Sequence, residues 1–149
     1  MKIGTTDIKK LFLGNNEISK AFLGNSKVYE KQSAEWILEV DNPTGWSCTC
    51  SSADKTFGAS IYWLNGVQYR YVFDWEITEI INGTQIGLRD ANTQSVHFVS
   101  GKTHRVGDTG HTDSIINSNR ERNRAVLITK YYDGQWTIKV TNFKLYRHV

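Results

Sequence analysis

Between residues 67 and 77 the chain alternates, with Val72 the one apolar residue on the polar parity. Val67, Tyr69, Tyr71, Phe73, Trp75 and Ile77 share one parity, and Gln68, Arg70, Asp74 and Glu76 share the other. A period of two places successive side chains on opposite faces of a strand, so this segment predicts one apolar and one polar face. Similar runs predict strands over 36–40, 46–51, 59–64, 67–80, 85–88, 95–99, 125–132 and 135–146. Asp41-Asn42-Pro43-Thr44-Gly45 and Asn82-Gly83 break the pattern with residues that favour turns. Asn65-Gly66 and Asp133-Gly134 predict tight hairpins that pair 59–64 with 67–80 and 125–132 with 135–146. From 100 to 124 the alternation lapses, with Val106, Ile115 and Ile116 as the only apolar anchors. That stretch predicts a long loop with at most a short strand around the isoleucines. No segment has helical periodicity. The expected fold is all-β, an antiparallel sandwich or barrel.

The start of the chain follows a different rhythm. Lys10-Leu11-Phe12-Leu13-Gly14-Asn15 is echoed by Lys20-Ala21-Phe22-Leu23-Gly24-Asn25, and Ile8, Ile18 and Val28 keep the same ten-residue step. Gly and Asn accept positive φ, so the repeat predicts short strands joined by tight turns. An arm over 1–31 then precedes a sandwich over 32–149, with Lys31-Gln32-Ser33-Ala34 as the joint. Strand-turn units this short bury no core of their own. The arm is expected to be completed by contacts with the rest of the chain, with other copies, or with a larger assembly. Its candidate contact residues are Ile8, Leu11, Phe12, Leu13, Ile18, Phe22, Leu23, Val28 and Tyr29.

Charge sharpens this division. The net charge is +3 over 149 residues. Six lysines face three acidic residues in 1–31, and the remainder is balanced. No basic face dense enough for nucleic acid is present. The absence of an apolar run of about 18 residues argues against membrane insertion. The first residues lack the apolar stretch of a secretory signal, which points to synthesis in a cytoplasm. Cys48 and Cys50 are the only cysteines. Their spacing puts both on one strand face, where they read as reduced, buried core residues.

Candidate chemistry is sparse. Trp46 and Trp63 fall near strand ends and are the better candidates for a sugar-stacking platform, with core or rim packing as the competing reading. Tyr69, Tyr71 and Trp75 read as core, and Trp136 as a cap on the sandwich. Gln68, Arg70, Asp74 and Glu76 either line a binding groove or form a solvated outer face. Asp74 and Glu76 have a spacing that a glycosidase pair, about 5–9 Å apart, would allow. Alternating acids are common on strands, so no catalytic residue is assigned and the chain is read as not an enzyme. His104, Asp108, His111 and Asp113 gather in the expected loop without a metal-ligand spacing, and read as a solvated or partner-contacting cluster. Arg120, Arg122 and Arg124 read as a charged rim guarding a strand edge. No cofactor is implied; a structural calcium held by backbone carbonyls would leave no mark in the sequence.

The arm motifs resemble a segment of tail-fibre and other virion-surface proteins of tailed bacteriophages, especially gut phages. Tyr69-Arg70-Tyr71-Val72-Phe73-Asp74-Trp75 resembles the long aromatic strand of jelly-roll carbohydrate-binding modules, and Trp136 to Tyr146 resembles their closing strand. The resemblance carries over no ligand residue. It implies a jelly-roll sandwich located in a virion, as capsid decoration, adaptor or fibre component. Its partners would be other virion proteins reached through residues 1–31, or copies of itself, and its ligand a glycan. The glycan candidates taken from the residues themselves are Trp46, Trp63, Arg70 and Asp74. The alternatives are a free-standing bacterial carbohydrate-binding module or lectin and, more remotely, a glycan-active hydrolase.

Overall fold

A computed structural model describes residues 35–83, 85–101 and 103–149, together with the backbone of six short strands in the first 34 residues. The chain divides into two compact units, Met1–Glu35 and Trp36–Val149.

In the first unit the strands are β1 (Lys2–Ile3), β2 (Thr6–Asp7), β3 (Phe12–Leu13), β4 (Asn16–Glu17), β5 (Lys20–Leu23) and β6 (Ser26–Glu30). They pair antiparallel as β1–β2, β3–β4 and β5–β6. Each pair brackets, in sequence, a Gly-containing dipeptide at a ten-residue step. Of the arm residues singled out above, Ile8, Leu11 and Ile18 lie outside the described residues. Phe12, Leu13, Phe22, Leu23, Val28 and Tyr29 lie in strands described by their backbone alone.

The second unit is an antiparallel sandwich. Its strands are β7 (Trp36–Asn42), β8 (Trp46–Cys50), β9 (Lys55–Trp63), β10 (Gln68–Asn82), β11 (Ile86–Asp90), β12 (His97–Gly101), β13 (Thr109–Asn117), β14 (Arg122–Thr129) and β15 (Gln135–His148). One sheet runs β13-β10-β15 and is completed by β7 and β8, which share the far edge of β15. The other runs β12-β11-β14-β9. From β8 onward every connection except β11–β12 passes from one sheet to the other. Among the described residues there is no helix.

Two expectations are corrected here. The Asn65-Gly66 and Asp133-Gly134 turns do reverse the chain, but neither makes a paired hairpin: β9 and β10 lie in different sheets, as do β14 and β15. Both strands at each turn carry an apolar face, and the two faces meet across the core instead of lying side by side. The Asn65-Gly66 turn is held by Ser118, with Gly66 N donating to Ser118 O (2.8 Å) and Ser118 N to Val67 O (2.9 Å). The second correction is the long loop expected over 100–124. Most of it is strand, because Thr109–Asn117 pairs with Gln68–Glu76 of β10. Its inward positions include Gly110 and Thr112, which hide the alternation. Gly110 is small because the Trp75 ring covers it; a Cβ there would sit 2.4 Å from Trp75 Cζ2.

The core lies between the sheets. Tyr69, Tyr71, Phe73 and Ile77 of β10 are fully buried, with Ile138, Val140, Phe143 and Leu145 of β15 and Leu88, Val126 and Leu127 opposite. Phe73 and Phe143 stack at 5.6 Å between ring centroids. The Tyr71 hydroxyl crosses the sandwich to donate to Val126 O at 2.9 Å, and burial drives its pKa well above the ordinary phenol value. Cys48 and Cys50 are buried and free, as expected, and burial raises both thiols above their usual range.

Candidate functional site

Because β10 alternates, its second face is turned outward and lies at the centre of the five-stranded sheet. Cross-strand register sets its neighbours: Val72 opposes Asp113 on one side and Lys144 on the other, and Asp74 opposes His111 and Thr141. Between these rows β15 carries one extra residue, a β-bulge. Asn142 occupies it with φ of +52°, a left-handed conformation that Asn tolerates better than most residues. Its backbone N–H donates to Pro43 O at 3.0 Å, tying the bulge to the break between β7 and β8.

The bulge aims Asn142 at Asp74. Asn142 Nδ2 donates to Asp74 Oδ2 at 2.8 Å, and His111 Nδ1 lies 2.7 Å from Asp74 Oδ1. These two hydrogen bonds, the Asn142 bond first, hold the Asp74 carboxyl below the usual carboxylate range. One row further, Arg70 grips Asp113 with two hydrogen bonds of 2.7 and 2.5 Å, which lowers the Asp113 carboxyl in the same way.

Two shallow recesses flank the Asn142–Asp74–His111 row. One, of about 420 Å³, is lined by Asp41, Pro43, Val72, His111, Asn142 and Lys144. The other, of about 330 Å³, is lined by Asp74, Trp75, Glu76, Thr109, Gly110 and Thr141. Together they make an open furrow with a fixed polar row between them. Asp41, Glu76 and Lys144 make no hydrogen bond or ion pair with other described residues, so their polar tips remain available. Both signs of charge are present. The furrow can therefore donate to and accept from a neutral polyhydroxylated ligand.

The sequence candidates separate cleanly on this geometry. Asp74 is at the centre, and Arg70 lies four residues along the same strand face, beyond Val72. Trp63 is not a platform: it is fully buried, and its indole Nε1–H donates to Arg124 O at 3.1 Å. Its place two residues from the turn put it under the sandwich edge, since the turn folds β10 over it. Trp46 is half-buried and packs edge-on against Phe143, 5.0 Å between centroids, away from the furrow residues. His111 and Asp113 face β10, whereas His104 lies 3.5 Å from Asp108, so the apparent His/Asp cluster is divided. Among the described residues no group of three His, Cys, Asp or Glu side chains is arranged to hold a metal. Arg122 is no rim residue; it turns inward and donates to the carbonyls of Ala91 and Asn92. Asn142, His111 and Lys144 were missed as site residues. Only the Thr141-Asn142 interruption of the β15 pattern hinted at the first.

No protein-family model matches the chain, and no curated protein matches it in sequence. One solved structure with some likeness is described as "Structure of infectious bursal disease virus Gx strain". The match is 8% identical with a TM-score of 0.40, covering 83% of this chain and 34% of that one, so the chain spans about a third of the length of its counterpart. At that level the likeness assigns neither fold nor role.

Proposed function

We propose that this chain is a non-enzymatic structural protein of a bacteriophage virion, a capsid decoration, adaptor or fibre component. Residues 1–31 attach it to the particle, and the sandwich presents the Asp74 furrow to host-surface or mucosal glycan. The observation that carries this reading is the division of the chain into a string of hairpins and a self-contained sandwich. Isolated two-stranded hairpins are marginal in water, so strands this short call for a partner surface. Many copies on one particle would make a weak, open furrow effective through avidity. The lowered Asp74 carboxyl is the opposite of what a general acid needs near neutral pH, so Asp74 itself is poorly suited to protonate a leaving group.

The test is deletion of residues 1–35. The full chain should copurify with assembled particles, and the truncated one should stay soluble and leave them. Asp74→Asn in the full chain should weaken glycan retention severalfold while keeping particle association. Absence of the full chain from particles, together with monomeric glycan binding by the sandwich, would replace this reading with the free-standing lectin. The closed core and open furrow of the sandwich give that reading its support.

A further inference from the structure

A second recess, of about 220 Å³, lies where the Asn82-Gly83 turn meets β11 and the start of β15. It shares no lining residue with the furrow and does not depend on the proposed function. Ile80, Asn82, Gln85, Ile86, His104 and Trp136 surround it. Trp136 is 1% exposed, yet its indole Nε1–H has no hydrogen-bond partner among the described residues. Buried donors in folded proteins are nearly always paired, so an orphan beside a recess points to a missing acceptor.

The surroundings are held in place. Two turns interlock beneath the recess through glycines: a Cβ on Gly83 would lie 2.5 Å from Gly134 Cα, and one on Gly134 2.0 Å from Asn82 O. Asn82 Oδ1 accepts from Gln135 N at 2.8 Å, and Asp133 Oδ1 accepts from Gln85 N at 3.3 Å. His104 sits edge-on to Trp75, 5.9 Å between centroids, and faces Asp108.

The lining selects its ligand by elimination. Among the described residues it contains no Lys, Arg, Asp or Glu, and its one histidine, His104, already faces Asp108, so an ion would enter without a dedicated counter-charge. The volume is below the roughly 300–1,000 Å³ of drug-sized sites, which suits one small group. A donor without an acceptor, two isoleucines, and the Gln85 carboxamide, whose side chain makes no hydrogen bond with other described residues, together match an acetamido group. We propose that this recess binds the acetamido group of an N-acetylhexosamine. Its carbonyl oxygen accepts from Trp136 Nε1–H, its methyl packs on Ile80 and Ile86, and its N–H donates to the Gln85 side-chain oxygen.

The test is a titration of the ¹⁵N-labelled full chain with N-acetylglucosamine and, separately, with glucose, following the tryptophan indole resonances. The Trp136 signal, identified by its loss in Trp136→Phe, should move saturably with N-acetylglucosamine at a Kd of about 1 mM and stay still with glucose. Gln85→Ala should leave the melting temperature unchanged and weaken binding about three- to tenfold. That variant keeps the test independent of whether Trp136→Phe folds, in which case the signal is assigned through-bond. An unmoved indole signal means that water alone satisfies the donor and overturns the proposal. An equal response to glucose, or undiminished binding by Gln85→Ala, does the same.

Discussion

The hairpins of the first unit and the sandwich of the second use the same local grammar of alternation and Gly/Asn turns, yet differ in what alternation achieves. Among the described residues, strands in the first unit run two to five residues and pair with their neighbour in sequence. Those in the second run five to fifteen residues and mostly pair with partners far along the chain. Length gives β10 a full apolar face to bury and, on its other side, a polar face wide enough to carry a furrow. The hairpins have no such depth. The comparison teaches that strand chemistry specifies a shape locally, whereas a second layer is needed before that shape is stable or carries a site.

Removing part of the second layer should have the largest effect. Phe73→Ala leaves a cavity beside Phe143 and Phe98, and should destabilise the sandwich by about 3–5 kcal/mol in urea unfolding. A loss under about 1 kcal/mol would mean that the two sheets do not share one packed core. Next comes Gly110→Val, whose Cβ collides with Trp75. It should cost about 1–3 kcal/mol and change the tryptophan fluorescence, since the ring is displaced.

Asp74→Asn tests the outer face. Because Asp74 and His111 are roughly half exposed, solvent screening keeps the stability loss below about 1 kcal/mol, while glycan retention should fall severalfold. The pH dependence has a definite sign. Asp74 titrates below its ordinary value of 3.8, so its contribution is complete above that value and is lost as the pH drops through the lowered one. Wild type and Asp74→Asn should therefore converge in stability at strongly acidic pH, and a gap that widens there would contradict the pairing. The smallest expected effect on the sandwich is that of deleting residues 1–35, within about 0.5 kcal/mol by thermal melting. Unfolding of the truncated chain would erase the contrast between the two units.

Much of the sandwich was legible along the chain. The two faces of β10, the buried cysteines and the approximate positions of most strands followed from period and turn residues alone. What escaped had specific causes. β13 was hidden because its inward residues include a glycine under Trp75 and a threonine instead of large hydrophobes. His111 went with it, and so did the row at Asp74. Asn142 escaped because a bulge is a property of two paired strands, visible only once β10 lies beside β15. Trp63 was misplaced because a turn dipeptide tells where the chain reverses and not whether the returning strand lies beside or on top of the outgoing one.

By itself the sequence determined that the chain is β throughout, which side of each well-patterned strand is apolar, and where the chain turns. Those properties depend on residues within a few positions of one another. The tertiary structure alone decided which strands are neighbours, that two tight turns connect opposite sheets, and that Asp74, His111 and Asn142 meet on one face. Pairing depends on which apolar surfaces find each other across the core, and that choice is made among segments tens of residues apart.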